Sequence, residues 1–239
     1  MKNIYKNIVV VIGSLSLSFM SAKAQIVITE VDAAGSGTSA YGADWFELTN
    51  EGSSSVSISG WKIDDNSDSY SDAVSLNGIS SIASGQTVVF IEDTNNGKAG
   101  ITDAQLDTEF TQAWFGSNVP AGFTLGFYGG SGVGLGQSGD AVNIFNTAGA
   151  QVTGVNFGAS ASNGATFDNS VLQVGSSVSG ADPTISTFSV AGVDGAFESK
   201  TSDEIGSPGA VPEPATYAMM AAGFCLLALA FRRRLTAGL

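Results

Sequence analysis

The chain has 239 residues, 43% hydrophobic and 13% charged, with 31 glycines, one cysteine, no histidine and a formal charge of −13. That inventory excludes a disulfide framework, a zinc site of the usual Cys/His type and any Ser–His or Cys–His catalytic pair. An acidic chain also lacks the basic surface that nucleic acid requires.

At the start of the chain, Lys2 and Lys6 precede an apolar run from Ile8 to Phe19. Ala22 and Ala24 then place small residues at the two positions a signal peptidase inspects, with Gln25 as the mature start. Residues 1–24 read as a secretory signal peptide rather than an uncleaved anchor, because the run is short for a span.

From Gln25 onward, short apolar runs alternate with Gly, Ser and Asn. Ile26–Val31, Trp45–Thr49, Val56–Ile58, Trp61–Ile63, Ala73–Leu76 and Thr87–Glu92 read as strands. The glycines of GSGTSAYGA, before Trp45, predict a short flexible loop. Residues 101–115 break the pattern: Leu106, Phe110, Ala113 and Trp114 fall on one helical face, Thr102 and Asp103 are candidate caps, and Gly116 ends the run. This predicts one short helix closing an end of the structure, with Trp114 in the core. Thr124–Phe127, Ala141–Phe145 and Gln151–Val155 continue the strands, the last two joined by a turn at Thr147-Ala148-Gly149. Gly129 to Gly136 has no following lysine or helix pattern and reads as a flexible loop, not a phosphate cradle. The fold class is all-β, an antiparallel sandwich.

The order of these segments resembles a lamin-tail domain. The resemblance is carried by IVITEV, DWFELTN, SVSISGWKIDD, IASGQTVVFIED, the helix with Phe110 and Trp114, and SGDAVNIFNTAGAQVTGVNFG, over residues 25–158. It implies an immunoglobulin-like β-sandwich in which Trp45, Glu47, Asn50, Gly60 and Trp61 are signature positions carrying fold, not catalysis. Asn50 is suited to bond turn backbone. Residues 159–209, with strand candidates at 165–167 and 187–190 and the closing EIGSPG, read as an extension packed on the same sandwich, because so short a segment makes a poor core alone.

One loop carries candidate metal ligands. Asp64, Asn66 and Asp68 stand at positions 1, 3 and 5 of a calcium loop, and hard oxygen ligands suit Ca²⁺. Ser69 and Ser75 stand where an EF-hand has Gly and Glu, so the loop is not an EF-hand. The competing reading is a solvated hairpin loop with local backbone bonds. No other cofactor is suggested.

The last segment, residues 210–239, holds Pro212-Glu213-Pro214, then a charge-free run from Ala215 to Phe231, then Arg232, Arg233 and Arg234. The run predicts a single transmembrane helix of about 25 Å with the arginines cytoplasmic. These three elements in this order resemble a PEP-CTERM sorting signal. That resemblance implies recognition by an exosortase in a Gram-negative bacterium, transient anchoring in the inner membrane and release to the cell surface or exopolysaccharide matrix. A plain single-span anchor is the alternative. Only Lys62, Lys98 and Lys200 lie between the two ends, so the chain from Gln25 through Glu213 carries −19, with no Cys, Met, His or Arg.

These readings converge on an exported, non-enzymatic surface or matrix protein, processed by signal peptidase and exosortase. An adhesin or glycan-binding module, with or without calcium, is the rival. A hydrolase is disfavoured because no nucleophile–base pair is present.

Overall fold

A computed structural model of the chain describes residues 26–93, 101–129, 132–170 and 182–210. The segment expected to be a signal peptide, the Pro-Glu-Pro motif, the apolar tail and the arginines lie outside the described residues. The elements are β1 Ile26–Asp32, a helical turn α1 Gly35–Thr38, β2 Trp45–Asn50, β3 Val56–Ser57, β4 Lys62–Asp64, β5 Val74–Asn77, β6 Ser81–Ile82 and β7 Thr87–Glu92. Then come α2 Asp103–Phe115, β8 Leu125–Tyr128, β9 Asp140–Phe145, β10 Gln151–Phe157, β11 Phe167–Asp168, β12 Thr184–Ile185, β13 Phe197–Glu198 and β14 Ile205–Gly206.

Ten strands form one hydrogen-bonded ladder, in the order β11-β1-β2-β7-β8-β5-β4-β9-β10-β12. Ile26, Ile28, Phe46, Leu48, Val88 and Phe90 of β1, β2 and β7 share one core with Ile63, Val142, Ile144, Val155 and Phe157 of β4, β9 and β10. The described residues thus form a mainly β structure with two short helices, consistent with an immunoglobulin-like sandwich. Trp61 belongs to this core.

Three features differ from the sequence expectation. The pairing is not wholly antiparallel: β7–β8 and β10–β12 are parallel. Among the described residues there are two helices rather than one, because the loop 35–43 contains the turn α1 and is packed, with Tyr41 fully buried. The glycine-rich loop before β9 is likewise anchored, with Val133 and Leu135 buried. In both loops, large apolar side chains between the small residues find a core, which composition alone does not reveal.

The third difference is the place of α2. It does not close an end; it lies across a face. All six residues of β2 and of β7 are buried, so both faces of this pair need cover. Trp45, Val89 and Ile91 point away from the first core and pack with Leu106, Phe110, Ala113 and Trp114 of α2 in a second one. The helix starts with a capping box. The Gln105 N–H donates to Thr102 Oγ1 and the Thr102 N–H donates to Gln105 Oε1, an arrangement worth about 1 kcal/mol.

Candidate functional site: a carboxylate row under a C-terminal strap

The outer face of β11-β1-β2 carries three acids in one cross-strand row. Glu30 stands opposite Asp168 on one side and opposite Glu47 on the other. Like charges directly opposite one another are destabilising. A bulge between Ile28 and Glu30 re-aims this part of β1. Glu30 and Glu47 are nevertheless 0% and 2% exposed.

What covers them is the strap, residues 204–210, arriving from the far end of the described chain. The Ser207 N–H donates to Glu30 Oε1 at 2.8 Å and Oε2 at 3.1 Å, and the Ser207 hydroxyl donates to Oε2 at 2.9 Å. Thr166 Oγ1 donates to Glu30 Oε1 at 2.5 Å. The Gly209 N–H donates to Glu47 Oε2 at 2.6 Å, and Thr29 Oγ1 donates to Glu47 Oε1 at 2.6 Å. Thr29 is joined to Thr49, and Thr49 to Thr87, by hydroxyl contacts of 3.0 and 2.9 Å. The partners of both carboxylates are hydroxyls and backbone amides. Burial pushes the Glu30 carboxyl up to about 7, with the surrounding donors opposing the shift. Burial, then the neighbouring Glu30, pushes Glu47 well above the usual carboxylate range.

Gly206 is where the strap comes closest. A Cβ there would meet Glu30 Oε1 at 2.5 Å, the Trp114 ring at 2.9 Å and Thr166 Cγ2 at 3.1 Å. Only glycine allows the backbone this near.

Glu204 anchors the strap's beginning. Its Oε1 accepts from the Tyr41 hydroxyl at 2.9 Å and its Oε2 from Ser202 Oγ at 2.5 Å. The Trp45 and Trp114 indole N–H groups both donate to Tyr41 Oη, at 3.0 and 3.2 Å. Asp32 faces Glu204, and burial followed by that neighbour pushes Asp32 well up. Asp32 Oδ2 is buried without a donor among the described residues. Asp44 is buried close by and is pushed to about 7 by burial, while its Oδ1 accepts from the Ser36 N–H at 2.7 Å.

These acids are not offered to a substrate. Glu30, Asp32, Asp44, Glu47 and Glu204 are all buried, and their hydrogen bonds go to the chain's own groups. Their chemical effect is to fix backbone.

The other residues singled out in the sequence fall elsewhere. Asn50 is buried: its Oδ1 accepts from the Gly52 N–H at 2.9 Å, and its Nδ2 donates to Ser54 O and Ile82 O at 2.9 and 2.8 Å. Gly60 turns the chain into Trp61 at φ +75°. Asp64 is buried, and its Oδ2 accepts from Ser67 Oγ and the Ser69 N–H, both at 2.6 Å. Asn66 is exposed and its N–H donates to Asp140 Oδ1, and Asp68 sits at φ 48°. Among the described residues, no group of three or more His, Cys, Asp or Glu side chains is arranged to hold a metal ion.

Sequence reasoning singled out Glu47 but missed Glu30, Asp32, Asp44 and Glu204. The available signal was an acid at Glu30 inside the apolar run of β1, with a second at Asp32. A family model for the Lamin Tail Domain matches residues 20–159, more than half of the chain, and the chain belongs to that family. A second model, the PEP-CTERM protein-sorting motif, matches residues 210–234. This motif indicates exosortase-dependent sorting of an exported protein. Both domains are of non-catalytic kinds. A search of curated proteins finds no match to the chain.

Proposed function

We propose that this is a non-enzymatic surface or matrix protein, freed of its leader by signal peptidase at Ala24, held in the inner membrane by its C-terminal segment, and then released through the tail. The observation that carries this reading is the sorting-motif match at residues 210–234, beginning where the strap ends. Residues 25–209 act in it as one body, with 159–209 an extension of the sandwich; the strap's bonds to Glu30 and Glu47 support that unity. The inert surface role is supported by the burial of Trp45, Trp61 and Trp114, which takes all three indole rings away from the surface where a sugar could stack. After release, the acidic body sits among exopolysaccharide and cations.

The test is a deletion. Removing Pro212-Glu213-Pro214 from the full chain, expressed with an exosortase, leaves the protein in the inner-membrane fraction. Surface release at the unaltered level would sink the reading.

A further inference from the structure

One peptide bond differs chemically from the rest. Asp182-Pro183 is the single Asp-Pro pair in the chain. The carboxylate of an aspartate and its own carbonyl carbon close a five-membered ring when one attacks the other. The nitrogen that would leave is a proline's, part of a tertiary amide.

The fold surrounds this bond with donors. Pro183 leads directly into β12, which pairs in parallel with β10. From β10, Asn156 Nδ2 donates to the Asp182 carbonyl oxygen at 2.8 Å, and the Asn156 N–H donates to the Pro183 carbonyl oxygen at 2.8 Å. The carbonyls on both sides of the Pro183 nitrogen are thereby fixed. Gln151 Nε2, from the start of β10, donates to Asp182 Oδ2 at 2.9 Å and to Asn143 Oδ1 at 2.8 Å. Gly154 leaves room for this group, because a Cβ there would meet Asn143 Oδ1 at 2.5 Å and Asp182 Oδ2 at 2.7 Å. The second carboxylate oxygen, Asp182 Oδ1, is buried and has no hydrogen-bond partner among the described residues. An oxygen in that state is costly to keep and calls for an explanation. Pro183 itself is half-buried, so a proton from solvent reaches it.

We propose that the chain cuts itself between Asp182 and Pro183. Asp182 Oδ1 attacks the Asp182 carbonyl carbon, and negative charge gathers on the carbonyl oxygen that Asn156 Nδ2 already holds. The C–N bond breaks, its electron pair stays on the Pro183 nitrogen, and a proton from solvent makes that nitrogen a new amine terminus. Water then opens the cyclic anhydride, leaving a free α-carboxyl and the restored Asp182 side chain. One water is consumed, and nothing is oxidised or reduced. Ring closure within one residue supplies proximity, and a donor aimed at a developing oxyanion is worth about 10²–10³ in rate. Gln151 is a positioning residue, acting through the carboxylate oxygen that does not attack. Asp68, on the loop after β4, lies in electrostatic reach of Asp182 and of Asp64; these negative neighbours favour a proton on the leaving nitrogen. The two pieces stay together after the cut, through β12 on β10, the bridge of Phe188 to Phe167, and the bonds of Ser207 and Gly209 to Glu30 and Glu47. The reaction is a single turnover of the chain on itself and is independent of the sorting role proposed above.

The test compares the purified full chain in detergent, folded and in concentrated urea, at about pH 5. Fragments are followed by denaturing gel and mass spectrometry. The expected result is two fragments, the second beginning at Pro183, formed about a hundredfold faster in the folded chain. The rate rises as pH falls from 7 toward 5. Asn156→Ala removes the advantage of the folded chain and leaves the rate in urea unchanged, and Asp182→Asn stops the cut. Cleavage no faster folded than in urea overturns the proposal. So does a folded Asn156→Ala chain that cuts at the unaltered rate, or a cut that survives Asp182→Asn. If Asn156→Ala loses the fold, the comparison in urea on the unaltered chain decides alone.

Discussion

Trp45→Ala is expected to remove about 4 kcal/mol of unfolding free energy, read as a lower midpoint in urea denaturation of the released body. Buried tryptophan truncations cost about 3–5 kcal/mol. Trp45 is fully buried, and its ring meets Phe110 and Trp114 edge-on at 5.9 and 5.8 Å. Each such pair adds roughly 0.5–1.5 kcal/mol beyond the area it buries. The substitution also removes the Trp45 donor to Tyr41 Oη, the hydroxyl that holds Glu204. One change therefore loosens both the second core and the start of the strap. Trp61→Ala, at 8% exposure in the first core, is expected to cost about 3 kcal/mol without that effect on the strap. Equal effects on strap protease sensitivity in the two variants would contradict the link through Tyr41.

The body is expected to be more stable at pH 5 than at pH 8. Burial pushes up Glu30, Asp32, Asp44, Glu47 and Glu204, so each binds its proton more tightly folded than unfolded. Stability from a raised carboxyl is present in full below its ordinary value and is lost as pH rises through the folded value. For Glu30 that window runs from 4.5 to about 7, worth about 3 kcal/mol. Asp44 loses its share between 3.8 and about 7. At about 2–4 °C per kcal/mol for a body of this size, Glu30 alone lowers the melting temperature by roughly 6–12 °C across its window. Glu30→Gln, which has no proton to lose, flattens the slope. A melting temperature that is level or rises between pH 5 and 8 would show that the row keeps its water or its charge.

Much of the body was legible. The alternation in Val56-Ser57 and the apolar runs of β1, β2 and β7 are local patterns, and each became a strand. The helix was legible for the same reason: Thr102 and Gln105 lie three residues apart, and the stripe Leu106, Phe110, Ala113 and Trp114 is a property of one segment. Where α2 packs was not legible, because an apolar stripe states that a face is buried and not against what. The continuous burial of β7 was a hint that a second layer was needed.

The carboxylate row illustrates the remaining gap. In the sequence, Glu30 and Glu47 are two acids among 22, and an acid on a strand is ordinarily a solvated one. Whether a carboxylate keeps its water depends on what arrives above it, and here that is Ser207, 177 residues from Glu30. The motif at Pro212 and the arginine cluster are contiguous signals, so the sequence by itself determined that this chain carries a sorting motif of exported proteins, with a charge of −19 from Gln25 through Glu213. Only the tertiary structure decided which of those charges are buried and that the strap covers Glu30 and Glu47. Such decisions belong to register and long-range packing, which no local pattern encodes.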